Sequence, residues 1–74
     1  MVDPDRVEQQ IQLIRRYTGY LEDIAKRPLS EFLVDPHAIG SARYYLQTAI
    51  ESCINIANHI IASEGLRAPK DFVR

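Results

Sequence analysis

Seventy-four residues with 46% hydrophobic and 26% charged side chains make one small globular domain, too short for a multidomain enzyme and too apolar for a disordered segment. Nine basic against ten acidic residues leave a net charge of −1, which excludes a broadly basic nucleic-acid or lipid surface and confines any RNA contact to a local patch. The lone Cys53 and the two histidines, His37 and His59, supply neither an internal disulfide nor a zinc site, so extra core must come from a partner chain or further sequence.

Met1-Val2-Asp3-Pro4-Asp5 is acidic and has no apolar run, which predicts a cytoplasmic chain without a secretory or transit leader. Breakers at Pro4, Pro28, Pro36, Gly65 and Pro69 leave two long segments. The first, about 4–27, begins with Asp3 as a capping residue and Pro4 in the first turn, and Lys26 and Arg27 suit its negative end. Val7, Ile11, Ile14, Thr18, Leu21 and Ala25 step by four and three, flanked by Leu13, Tyr17, Tyr20 and Ile24, which predicts an amphipathic helix. On the solvated side, Glu22 to Lys26 and Asp23 to Arg27 are spaced as favourable pairs.

Next, Ser30 is placed to cap a short helical turn near 30–34, whose Phe32, Leu33 and Val34 plug the end of a helix pair. Asp35-Pro36 repeats the start signal and Gly65 suits a left-handed stop, giving a second helix over about 36–64. The predicted fold is an all-α antiparallel hairpin in one domain, 1–74.

The second helix has two unusual faces. Ile39, Ala42, Leu46, Ala49, Ile50, Cys53, Ile54, Ile56, Ala57, Ile60 and Ile61 form a wide apolar stripe read as core, with Cys53 a small hydrophobe within it. Opposite lie Tyr44, Gln47, Thr48, Glu51, Ser52, Asn55, Asn58, His59 and Ala62, where Glu51 is the one charge from Tyr44 to Ser63. Solvated faces carry more charge than that, and so many polar groups rule out a membrane span. Both faces are therefore read as buried, with Tyr44, Gln47, Thr48, Glu51, Ser52, Asn55, Asn58 and His59 at a dimer or bundle interface. A four-helix-type bundle follows, completed by a homodimer, a larger homo-oligomer or further C-terminal helices.

His59 shares a face with Glu51 and Asn55, a spacing for one proton-transfer pair or one polar network, the network being the commoner outcome. Arg15, Arg16 and Arg43 adjoin tyrosines and are read as solvated rather than base-stacking. Phosphate loops, nucleophile elbows, metal-ligand spacings and paired catalytic carboxylates do not occur, so neither a cofactor nor a metal is expected. A small-ligand site would need a pocket near Asn55, Asn58 and His59.

The succession Leu29-Ser30-Glu31-Phe32-Leu33-Val34-Asp35-Pro36, then Ala42-Arg43-Tyr44-Tyr45-Leu46-Gln47-Thr48-Ala49-Ile50-Glu51, then Ile56-Ala57-Asn58-His59-Ile60-Ile61, then Gly65-Leu66-Arg67-Ala68-Pro69 resembles the N-terminal half of the HepT-like branch of the HEPN superfamily. The resemblance implies a dimeric helical bundle, and a metal-independent endoribonuclease toxin neutralised by a minimal nucleotidyltransferase antitoxin. Arg43, Tyr44, Glu51 and His59 match the family's second-helix pattern. The family's catalytic signature, an arginine and a histidine separated by four to six residues, is not met: Ser30, Glu31 and Phe32 occupy the required positions before His37, and Ser52, Cys53 and Ile54 those before His59. No catalytic residue is therefore assigned. Lys70-Asp71-Phe72-Val73-Arg74 reads as the start of a third helix. The leading expectation is the dimerising half of a ribonuclease toxin, inactive as this chain; the alternative is a self-standing, non-catalytic oligomerisation or protein-interaction module.

Overall fold

The computed structural model describes residues 1–65. Three helices occur there in the order α1 (Pro4–Ala25), α2 (Leu29–Phe32) and α3 (Pro36–Ser63), with no strand among the described residues. The two long helices pack side by side as the expected antiparallel hairpin, and α2 rests on α3. The proposed third-helix start and the segment Leu66 to Pro69 lie outside the described residues. No helix among the described residues is long and apolar enough to cross a membrane.

Both long helices begin as Asp-Pro chemistry dictates. Asp3 sits in extended backbone and its carboxylate accepts from the amides of Asp5 (3.0 Å) and Arg6 (3.4 Å); Asp35 does the same for His37 (2.9 Å) and Ala38 (3.2 Å). Each proline takes the first helical position, where a missing N–H costs nothing. Gly65 ends the last turn with φ +69°, the left-handed conformation that glycine adopts without a Cβ clash.

The loop differs from expectation in four respects. α1 stops at Ala25, and the amides of Lys26 and Arg27 bond back to Asp23 (3.3 Å) and Ile24 (3.1 Å) in a tightened last turn, because Pro28 disfavours helical backbone at the residue before it. Ser30 is not the cap of α2: the Pro28 carbonyl accepts from Glu31 (3.0 Å) and Phe32 (3.1 Å), so the turn starts earlier and Ser30 lies within it. Of the apolar residues there only Phe32 is half-buried, while Leu29, Leu33 and Val34 stay exposed. Finally, Lys26 pairs with Asp23 (3.4 Å), and Arg27 crosses the loop to Asp35 at 3.0 Å. One carboxylate thus caps α3 and ties it to the end of α1.

Antiparallel register is set by Asp3 against His59, Gln10 against Asn55 and Tyr17 against Tyr45. Along this seam α3 turns inward Ala38, Ala42, Tyr45, Ala49, Ser52, Ile56, His59 and Ser63, all buried or half-buried and spaced by alternating four and three. The matching line on α1 is Val7, Gln10, Ile14, Tyr17, Leu21 and Ile24. Thr18 and Ala25, expected on the inner line, are exposed, because the contact runs along the tyrosine side of α1. Only Ala38 (6% exposed) and Ser52 (3%) are fully classed as interior, and no large side chain is completely buried among the described residues. Two helices side by side form one layer, whereas a closed core needs two.

The seam predicts that Ser52→Leu, which forces extra volume between the helices, destabilises the fold by about 1–3 kcal/mol, and that Ser52→Ala is nearly neutral in the same thermal melts. The Ala38 amide, the Arg27 guanidinium and the His37 amide together hold the Asp35 carboxyl below the usual aspartate range. The contribution of a depressed carboxyl is present above its unfolded pKa and is lost as pH falls through the folded one. Melting temperature should therefore drop on acidification through the carboxylate range. Asp35→Asn keeps a capping oxygen but has no carboxyl to protonate, so an unchanged acid dependence in that variant would contradict the assignment.

Candidate functional site

At the end of the hairpin where α1 begins and α3 finishes, the chain terminus and His59 join the two helices. The Asp3 amide donates to His59 Nε2 at 3.0 Å, and the N-terminal ammonium donates to the Ser63 carbonyl at 3.2 Å. Accepting at Nε2 requires that the neutral imidazole carry its proton on Nδ1. Beside this lies a cleft of about 400 Å³ lined by Arg6, Gln10, Asn55, Asn58 and His59 over an apolar floor of Val7, Ile56 and Ala62. Asn55 donates its amide to Gln10 across the seam at 3.5 Å.

The polar face does not form one network. Gln47 donates to Glu51 at 3.1 Å, Asn55 turns to Gln10 and His59 to the Asp3 amide, so Glu51, Asn55 and His59 each have a separate partner. Within the hairpin Ser52 is buried and Thr48 and His59 are half-buried; Tyr44, Gln47, Glu51, Asn55 and Asn58 are exposed. Arg43 is exposed and borders a different groove, with Leu46, Gln47, Ile50, Glu51 and Ile54. The four family-pattern residues are thereby spread along α3: Arg43 and Glu51 at that groove, Tyr44 among aromatics, His59 at the cleft.

All four tyrosines meet at mid-hairpin. Tyr17 lies 5.6 Å from Tyr20, 6.0 Å from Tyr44 and 5.6 Å from Tyr45 between ring centroids, and Tyr20 and Tyr45 are 5.0 Å apart. Edge and tilted contacts of this kind suit the ring quadrupole. Desolvation, followed by the neighbouring Tyr44 phenol, raises the pKa of Tyr17 above that of a free tyrosine.

A second correction concerns the apolar stripe of α3. Leu46 (53% exposed), Ile50 (51%) and Ile60 remain open, and Cys53, expected in the core, is exposed. α3 meets α1 along the line of Ala38, Ala42, Tyr45, Ala49, Ser52 and Ile56, so part of the stripe (Ala42, Ala49 and Ile56) does face α1, while Leu46, Ile50, Cys53 and Ile60 fall on its outer flank. Among the described residues no three His, Cys, Asp or Glu converge as metal ligands.

The Ribonuclease HepT-like family model matches residues 7–73, which covers all but the first three residues of α1, the α2 turn and the whole of α3. The chain belongs to the ribonuclease HepT-like family. No curated protein and no solved structure gave a match. In this HepT-like chain the cleft residues Arg6 and Gln10 escaped sequence reasoning, because they sit some fifty residues from Asn55, Asn58 and His59 and only the helix register brings them together.

The contact between His59 and the chain start yields a direct test. His59→Leu removes the acceptor, a hydrogen bond contributing roughly 0.5–1.5 kcal/mol, so amide exchange at Asp3 measured by NMR should quicken several-fold while the α2 turn keeps its protection.

Proposed function

We propose that these residues form the dimerising half of a HepT-like ribonuclease toxin, restrained in the cytoplasm by a minimal nucleotidyltransferase antitoxin, and that the 74-residue chain by itself leaves RNA intact. The observation that carries the reading is the uncovered stripe of Leu46, Ile50, Cys53 and Ile60 on α3 in a chain of this family. Two copies related by a two-fold axis, each laying this stripe on the other in place of the polar face expected at the interface, would cover it and build four long helices around a common core. Ile54 and the groove it shares with Leu46 and Ile50 would then lie at the contact.

Inactivity rests on chemistry. Cleavage of this type needs a base at the ribose 2′-hydroxyl and a cation on the phosphate, and no arginine in the chain precedes a histidine with four to six residues between them. That same gap favours a second reading, a self-standing interaction module without catalysis. Both readings require an assembly, and they part on whether a nucleotidyltransferase binds.

Light scattering at micromolar concentration should return a dimer or larger species, and Leu46→Asp with Ile50→Asp should return a monomer; a wild-type monomer would end the dimer reading. Nuclease-free preparations should leave a mixed RNA substrate uncut, and robust cleavage would refute the motif argument. Capture of a minimal nucleotidyltransferase from the source cells by the tagged chain favours the toxin half, and capture of other proteins alone favours the module.

A further inference from the structure

We propose that the cleft between the start of α1 and the end of α3 binds a nucleoside monophosphate. Its composition argues for a phosphorylated ligand. The polar lining consists of one guanidinium, three carboxamides and one imidazole, and no carboxylate lines it. Neither ion pair among the described residues engages Arg6, which leaves its forked donors for a phosphate. His59 is already oriented by the Asp3 amide at 3.0 Å, a constraint that fixes the ring before any ligand arrives.

The carboxamides decide in favour of a nucleotide over a bare anion. Gln10, Asn55 and Asn58 each present a donor beside an acceptor, the pairing that reads the edge of a base, whereas an anion would use donors alone. The link from Asn55 to Gln10, at 3.5 Å, is long enough to be surrendered to a ligand. Val7, Ile56 and Ala62 supply an apolar floor for the face of the base, and about 400 Å³ lies within the range of small-molecule sites. The site needs no catalytic pair; only the choice of a nucleotide over other phosphate esters rests on the RNA-directed reading above.

The test is an NMR titration of the 74-residue chain with uridine and adenosine 5′-monophosphates, and separately with inorganic phosphate. The expected result is saturable shifts of the Gln10, Asn55 and Asn58 side-chain amides with at least one nucleotide, at lower concentration than with phosphate. Arg6→Gln and Asn58→Ala should each weaken binding by on the order of tenfold without moving the thermal melt, and Arg15→Gln, on exposed α1 surface, should leave it unchanged. Absence of saturable shifts at millimolar nucleotide overturns the proposal, as does equal affinity for inorganic phosphate or indifference to both cleft variants. The RNA-cleavage assay is read independently, so failure here leaves the family-based reading standing and failure there leaves the cleft standing.

Discussion

The structure depends on one seam: a line of mostly bulky side chains on α1 faces a line on α3 in which alanines and Ser52 alternate with Tyr45, Ile56 and His59. Ile14, Tyr17, Leu21 and Ile24 occupy the space between the helices, and Ala38, Ala42, Ala49 and Ser52 let the two backbones approach around the Tyr17 and Tyr45 contact. The alternation of four and three keeps this line facing α1 over the length of α3. At about 100° per residue, the stripe of Leu46, Ile50 and Ile60 and the polar face of Tyr44, Glu51, Asn55 and Asn58 then fall on either side of the seam. α3 is divided into three surfaces, of which the hairpin satisfies one.

At each end, an Asp-Pro pair converts a helix start into a crosslink. Asp35 caps α3 and receives Arg27 from beyond the end of α1; Asp3 caps α1 and gives its own amide to His59 of α3. The tyrosine cluster holds the middle. These polar and aromatic fastenings set the register that the alanines of the seam, with little side-chain relief, would specify only weakly.

The same division gives the remaining surfaces their uses. The aliphatic stripe loses the most by staying in water, at roughly 25 cal/mol per Å² of apolar area, and is the surface the proposed assembly would cover. The polar side, low in charge and rich in carboxamides, gathers at the cleft where α1 contributes Arg6 and Gln10. The proposed assembly and the proposed ligand recognition thus fall on separate flanks of one helix.

Local chemistry was legible in the residues. Asp3-Pro4, Asp35-Pro36 and Gly65 mark helix ends through side-chain oxygens, ring constraint and φ, all properties of a few neighbouring residues, and the resemblance to the HepT-like family lies in contiguous segments. What lay beyond reach was which line of α3 meets α1. Its apolar stripe is broad and its polar face nearly uncharged, so periodicity centres the contact on the large aliphatics and places Cys53 inside with them. Tertiary packing decided otherwise, because the volume available beside Tyr17 and Leu21 is a property of two helices together. The same holds for the Arg27 pair with Asp35 and for the meeting of Arg6 with His59. The sequence by itself determined the two long helices, their aspartate caps and the family; the tertiary structure alone decided register and the surfaces left open, since these arise from shape complementarity between residues far apart in the chain.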